Sequence, residues 1–585
     1  MAKRYRPVRR DQPFLFPPDM REWLAEDHPV WLVITAVEDH MDTSAFHAGR
    51  NTGRAGTAGY DPDMLVTVLV WAYAHQVTSS RRIEQLCQTD VAFKVICGGN
   101  TPRHVTISEF RAAFPGMIGG FFAEVLALCA RLGMGRLGVV ALDGMKIAAS
   151  ASKSANRTEE HLARLAAETV ARHGETDEAE DDLFGPGARG DEVPADAWSP
   201  RRRDQRIAAA LASLRAGRQA AQAERDAQAQ AYLQAAAAGQ APPGAVPADA
   251  AVAAARLRLE RAEAAQRAKV AAWQQRRAEE AAAGIRRGPG GKPPLPPGAH
   301  FRVNKARAAL EQARARAAEA GRKAAEKKRD SGPGPVRNIT DPDARLMPVR
   351  GGGFIEGYNT QNVDSEDGLI IATELTADTT DTEWFQPMMR QAEDAAALIT
   401  AHRAAAGHPA PGDDTSQDGG DAGPGYRPPP PDGQDAAQPP WLIRLFLADA
   451  GYCSEANINA PGPPRLIATG KLRDLGKAAR TSDDAVPWAS PALAAMAALL
   501  QTEGGIAAYR QRGHIAETPH GHIKHNMRFR QLSVRGKPKA AAEWTFAAAV
   551  HNLFKAITSG HLTTETLARL NHRAAYPPTA QATPT

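Results

Sequence analysis

Hydrophobic and polar positions along the chain change period, and each change marks a different kind of segment. Between residues 14 and 132 the apolar residues recur at three- and four-residue spacing, which predicts a set of short helices. PDMLVTVLVWAYAHQV is apolar almost all round and predicts a buried helix, with Asp61 as its cap and Pro62 at its first position. SSRRIEQLCQTDVAFKVICGG predicts a second helix starting at Ser79 or Ser80, and TPRHVTISEFRAAF a further one with Ser108 as cap. From residue 136 the pattern turns to short β-rich runs. VVAL at 139–142, WLIRLFLA before Asp449, and RLIATGK read as buried strands, while GFIEGYNTQNVDS and GLIIATELTA read as a hairpin turning at 365–368. TDTEWFQPMMRQAEDAAALI predicts a helix capped by Thr380 or Asp381. AAAEWTFAAAVHNLFKAIT predicts an amphipathic core helix carrying Trp544, Phe546, Leu553 and Phe554.

Two stretches interrupt this order. Residues 158–332 are rich in Ala, Arg and Glu with few large apolar side chains, and they read either as long helices joined by Pro/Gly connectors or as a weakly packed, partly disordered insertion. No Leu heptad is sustained, so a strong coiled coil is not indicated. Residues 404–440, with the run RPPPPDGQ, predict a disordered loop, and the residues after His561 a frayed tail. The expected organisation is a helical domain at 14–132, an α/β domain formed by 136–157 and 336–560, and a charged helical insertion at 158–332 between its two parts.

Composition narrows the class without naming a function. A chain of 585 residues, 43% hydrophobic and 23% charged, has room for several domains and a substantial core. A net charge of +5 with pI near 9.0 permits a polyanionic partner. Cys87, Cys97, Cys129 and Cys453 are scattered without ligand spacing, which suggests neither a disulfide framework nor a zinc site and fits a reducing cytoplasm. No apolar run approaches the length of a membrane span, so the expectation is a cytoplasmic protein with no membrane partner.

The chemistry concentrates in YRQRGHIAETPHGHIK, where Glu517 stands among Arg510, Arg512, His514, His520, His522 and Lys524. Taken alone, one Glu in a basic run is a surface ion pair. ALDGMK and LFLADAGY change that reading, because each sets an Asp, Asp143 or Asp449, directly after a buried strand. A strand-end Asp is by itself a turn residue; three such acids can gather around divalent cations. Asp364 and Asp378 read as turn and cap residues. His514, His520 and His522 form only a weak ligand pattern and read as DNA-facing or structural. In the helical region, Arg81, Arg82, Lys94, Arg103 and Arg111 on short helices suit either a helix-turn-helix reader of the major groove or an ordinary helical bundle.

These segments resemble the DDE transposases of bacterial insertion sequences, in the group with a Tyr, Arg, Glu, Lys signature. The likeness rests on DG after the first strand, ADAGY at the second, and Tyr509, Arg512, Glu517 and Lys524 at the third; it extends to NITDPDARLM and GYNTQNVDSEDGLIIA. It implies a ribonuclease H-like mixed sheet flanked by helices, with Asp143, Asp449 and Glu517 as catalytic residues and ligands of two Mg²⁺ ions, for which Mn²⁺ can substitute. Tyr509, Arg512, Lys524, Arg81 and Arg82 would contact DNA. The implied partners are double-stranded DNA, as terminal inverted repeats and target, and a second copy of the chain in an active homodimer associated with the nucleoid. One departure is visible. Four residues, not three, separate Arg512 from Glu517, which sets them about 140° apart on a continuous helix. Pro519 fits a first helical turn with Thr518 as N-cap, placing Glu517 at a helix entrance; Lys524 shares a face with Glu517 if both are helical.

The reaction that the likeness implies is cleavage at element ends by water, then attack of the exposed 3′ hydroxyl on target DNA. A ribonuclease H-like nuclease without strand transfer would use the same acids, and strand-joining assays separate the two. A DNA-binding regulator with a vestigial catalytic domain is the third reading, opposed by the three acids being intact.

Overall fold

The computed structural model describes residues 19–48, 59–168, 200–238, 247–284, 292–330, 335–349, 352–411, 441–470 and 490–570. By its contacts the chain divides into two compact units, one made of 1–155 with 343–585 and the other of 156–342.

The first unit is built on a six-stranded mixed sheet. β1 (Val139–Ala148) pairs antiparallel with β5 (Phe354–Ser365) and parallel with β7 (Leu445–Ala448), which in turn pairs parallel with β8 (Arg465–Ile467). β4 (Arg345–Pro348) and β6 (Ile370–Thr376) both run antiparallel to β5, one after the other along its far side. β5 and β6 form the hairpin that alternating apolar residues predict, and Gly368 takes the left-handed backbone conformation in its turn. β1 is longer than its VVAL run suggests. Pairing continues from Val140 opposite Ser365 to Ala148 opposite Gly357, so Asp143 lies within the strand and not after it.

Helices cover the sheet. α1 (Pro29–His40), α2 (Pro62–Ala74), α3 (Ser80–Thr89), α4 (Val91–Ile96), α5 (His104–Ala112) and α6 (Ile118–Arg131) precede β1. Asp61 caps α2 through the Asp63 N–H, and Ser79 caps α3 through the Arg82 N–H, as the sequence predicts. Ser108 is not a cap: it lies inside α5, which starts at His104 behind Arg103 with no side-chain capping bond. The apolar faces of α2 and α6 do not close on themselves. They share one continuous core with the sheet, and with two further helices, α10 (Phe385–Ala405) and α13 (Lys537–Thr558). Tyr73 meets Phe546 edge-on at 5.1 Å, and Tyr73 Oη donates to Glu543 Oε1 at 2.7 Å. Helices 14–132 and the sheet therefore form a single packed body, with 14–18 outside the described residues.

The second unit holds α7 (Pro200–Ala238), α8 (Ala248–Ala282), α9 (Phe301–Asp330) and a small ladder of β2 (Asn156–Thr158) with β3 (Val336–Asn338). Its apolar cluster is small, with Leu162, Ile207, Ala210, Leu211, Leu214 and Ile339, as expected where alanine replaces large side chains. Of the 404–440 stretch, 404–411 are the end of α10 and the turn after it; the rest lies outside the described residues. The tail expectation changes too. α14 (Thr564–Arg569) follows His561, fixed by a capping box between Thr563 and Thr566 and by burial of Leu567.

α13 is stitched to the hairpin by polar side chains. Asn552 exchanges two hydrogen bonds of 2.8 Å with the Ile370 backbone, and His551 Nε2 bonds to Gly368 O at 3.0 Å while its Nδ1 faces His522 Nδ1 at 3.0 Å. Burial pushes the His551 imidazole down to about 3, so it is neutral in the folded chain. The unfolded chain takes up that proton first, near pH 6.5. Stability from this site is therefore complete above pH 6.5 and is lost as pH falls toward 3, at about 1.4 kcal/mol per pH unit. A His551→Gln variant should show a flatter decline of urea midpoint between pH 6.5 and 4.5 than the unaltered protein; equal slopes would contradict this.

Candidate active site

The site forms where one helix crosses the middle of the sheet. α11 (Pro491–Gln501) and α12 (Glu503–Gly521) pack Met496, Leu500, Ala508, Ile515 and Ala516 onto Ala141, Leu445, Leu447 and Leu466. Residues 508, 512 and 516 follow one another at four-residue steps, so Arg512 sits on the stripe of α12 that faces β1. Asp143 lies on the same face of β1 as Ala141, two residues on. Helix register thus drives Arg512 inward and turns Glu517 outward, where it is exposed.

Pro519 does not begin a helix. α12 runs unbroken through it, so Thr518 is no N-cap; its hydroxyl bonds back to His514 O. A proline there has no N–H to give the turn before it, and the chain widens into a π-type turn over His522–Asn526 immediately afterwards. The α-helical spacing that would align Lys524 with Glu517 ends at that turn. Lys524 is exposed.

Arg512 holds the two aspartates together. Its Nη2 donates to Asp143 Oδ1 at 2.8 Å and stands 3.8 Å from Asp449 Oδ2. Asp449 follows β7, and accepts from Gly451 N at 2.8 Å. Tyr509 Oη donates to Ala448 O at 3.2 Å, fixing α12 to the end of that strand. Arg512 and Tyr509, expected at a DNA backbone, are therefore engaged with the protein's own groups. Burial raises the Asp143 carboxyl above its ordinary range; Arg512 and the Gly144 N–H oppose this, and Asp381 and Glu517 add to it. Asp449 is raised by burial and by Asp143 and Asp381, again against Arg512. His520 is buried, with Nδ1 at 3.9 Å from Asp143 Oδ2, and burial together with Arg512 and Lys524 lowers it to about 4, so it is a neutral neighbour.

A fourth carboxylate lies in this group. Asp381 was expected as a helix cap and does hold the cap position of a 3-10 turn, Thr382–Trp384, that runs into α10, but its side chain makes no capping bond. Its Oδ1 instead accepts from Asn359 Nδ2 at 2.6 Å and Gln361 Nε2 at 2.8 Å. Tyr452 Oη donates to Gln361 Oε1, completing a chain from the ADAGY turn to Asp381. The signal was present in GYNTQNVDS, where Asn359 and Gln361 alternate within a strand buried on both faces. Buried amides require partners. Asp364, read as a turn residue, is a fully buried β5 residue opposite Ala141, and burial and Asp143 raise it well above the carboxylate range. Asp378 is a turn residue, accepting from Thr376 Oγ1 at 2.6 Å and Trp384 Nε1 at 2.9 Å.

The donor chemistry suits a hard divalent cation: carboxylate oxygens, with excess negative charge and a guanidinium already drawn between them. Asp143, Asp449 and Glu517 do not stand within 4.8 Å of one another; among the described residues the acidic and imidazole group that does is His47, Asp61 and Asp63 on the surface, of which Asp61 already caps α2. Of the basic residues expected to read DNA, Arg81 and Arg82 are exposed on α3. Arg111 is buried and donates to Thr78 O, Tyr73 Oη and Ser80 Oγ, so it holds the helices together.

Two protein-family models match the chain. A transposase domain, DUF772, covers residues 18–113, and a transposase DDE domain covers residues 477–557. The second includes Tyr509, Arg512, Glu517 and Lys524; Asp143, Asp449 and Asp381 lie outside both. No curated protein and no solved structure matches the chain.

Replacing Arg512 with Ala leaves two close carboxylates without their cation. We expect a loss of roughly 1–3 kcal/mol at pH 7.5 by urea denaturation. The loss should shrink as pH falls, because protonating Asp143 and Asp449 removes their repulsion. A loss independent of pH would contradict the pairing.

Proposed function

Starting from a chain that its two family matches support as a DDE transposase, we propose that it cleaves DNA at the ends of a mobile element and joins those ends to target DNA. The observation that carries this reading is the meeting of Asp143 and Asp449, from β1 and the turn after β7, around Arg512 from the DDE-matched segment. The sheet supports a ribonuclease H-like fold, with the first acid on a central strand, antiparallel neighbours on one side and parallel ones on the other.

DDE transposases typically depend on divalent metal, and Asp143, Asp449 and Glu517 would hold it here. Two such ions, Mg²⁺ or Mn²⁺, would supply polarisation of the phosphoryl group and stabilisation of the attacking and leaving oxygens. The residues of the chain do the rest. Asp143 and Asp449 fix the centre at the sheet. Glu517, exposed on α12, is the third acid, and its charge already acts on Asp143. A scissile phosphate entering beside Asp143 offers Arg512 a second anion, so the guanidinium can pass from holding carboxylates to orienting the DNA backbone, with Lys524 on the exposed turn beyond. Arg81 and Arg82 are available to contact the duplex, and a dimer would pair the two ends.

Individual replacement of Asp143, Asp449 and Glu517 with Ala should each lower Mg²⁺-dependent cleavage of end DNA on the order of 100-fold or more. Unchanged cleavage by any one variant removes that residue from the centre. Cleavage without joining on paired ends would favour a nuclease over a transposase.

A further inference from the structure

We propose that Asp381 is a fourth carboxylate of this centre, a divalent-cation ligand beside Asp449, aimed by Asn359 and Gln361. The inference rests on the metal-dependent reading above and deepens it.

Placement carries the argument. Asn359 and Gln361 are buried, and both donate to the same oxygen, Oδ1. The other oxygen is directed at the turn that presents Asp449: a Cβ on Gly451 would stand 3.2 Å from Asp381 Oδ2 and 3.0 Å from Asp449 Oδ1. Both carboxylates therefore flank the space that a side chain at 451 would fill. Gly144 does the same from the strand that carries Asp143, since a Cβ there would come 2.9 Å from Asp381 Oδ1. Glycine at these two places lets a third acidic group sit between β1 and the turn after β7. That turn is tied to it, with Thr382 Oγ1 donating to Gly451 O at 2.8 Å and Asn457 Nδ2 to Thr382 O at 2.7 Å.

Charge points the same way. Arg512 stands against Asp143 and Asp449, and the Asp381 charge weighs more on Asp143 than that of Glu517 does. Beside them the buried His520 imidazole has its Nε2 without a hydrogen-bond partner. An amide pair that only needed an acceptor could use a neutral oxygen. Spending a carboxylate among other carboxylates makes physical sense where a cation enters.

The test is Mn²⁺ titration of the full chain without DNA, followed by electron paramagnetic resonance of the free ion. Asp381→Asn keeps the shape and an acceptor oxygen for Asn359 and Gln361 while removing the charge. We expect it to weaken Mn²⁺ binding at least tenfold, comparable to Asp449→Asn, with the urea midpoint in the absence of metal unchanged or higher. If Asp449→Asn weakens binding and Asp381→Asn does not, Asp381 only accepts the two amides and this proposal fails while the metal centre stands. If the unaltered protein binds no Mn²⁺, the metal-dependent reading fails and this proposal with it.

Discussion

Two carboxylates brought together from the middle of one strand and the end of its neighbour repel each other, and the partly buried place where they meet makes that repulsion expensive. The Arg512 guanidinium offsets it. Everything around the site follows from getting that one cation to that one place. α12 must be continuous, so that 508, 512 and 516 fall on one stripe; it must lie flat on β1 and β7, which the Ala141, Leu447 and Ala516 contacts secure; and it must be fixed lengthwise, which the Tyr509 bond to Ala448 O provides. Arg512 is itself buried against its own charge, and Asp143, with Tyr509 and Asp449, holds it protonated. Neither partner would be stable there without the other.

The helices before β1 are part of the same construction. α2 and α6 lie in the core that also holds α13 and the back of the sheet, and Arg111, Tyr73 and Glu543 join them through a buried polar network. A helix carrying Arg81 and Arg82, with its Ile83 and Cys87 in that core, is therefore packed on the body that bears the acids. Contacts made by those arginines would position a duplex relative to Asp143 by rigid geometry.

Much of this was legible in the sequence, for physical reasons that also explain what was not. β-branched and apolar runs at 139–142, 370–376 and 445–448 have few alternatives to buried strands, and Asp61 before Pro62 has little to do but cap a helix. The acid at 143 and the acid at 449 stood out because each breaks such a run. Local rules failed where tertiary packing overrode them. Pro519 reads as a helix start, yet packing of Ile515 and Ala516 on the sheet keeps the helix going and the cost appears one turn later as a widened turn. Arg111 reads as one of the basic residues of a groove reader or of a plain helical bundle, but carbonyl and hydroxyl acceptors from distant segments bury it. Asp381 reads as a cap because its partners, Asn359 and Gln361, lie on another strand, and only folding brings Gly144 and Gly451 close enough to leave it room.

The central claim is that Asp143 and Asp449 form a cation-binding centre whose positive charge Arg512 supplies when nothing else does. Anomalous diffraction from crystals of the protein with end DNA and Mn²⁺ tests it most directly. The account predicts anomalous density about 2.1–2.3 Å from carboxylate oxygens of both aspartates, with the Arg512 guanidinium moved onto a phosphate of the bound strand. Density confined to the surface group at His47, Asp61 and Asp63, with Arg512 still paired to Asp143, would contradict it.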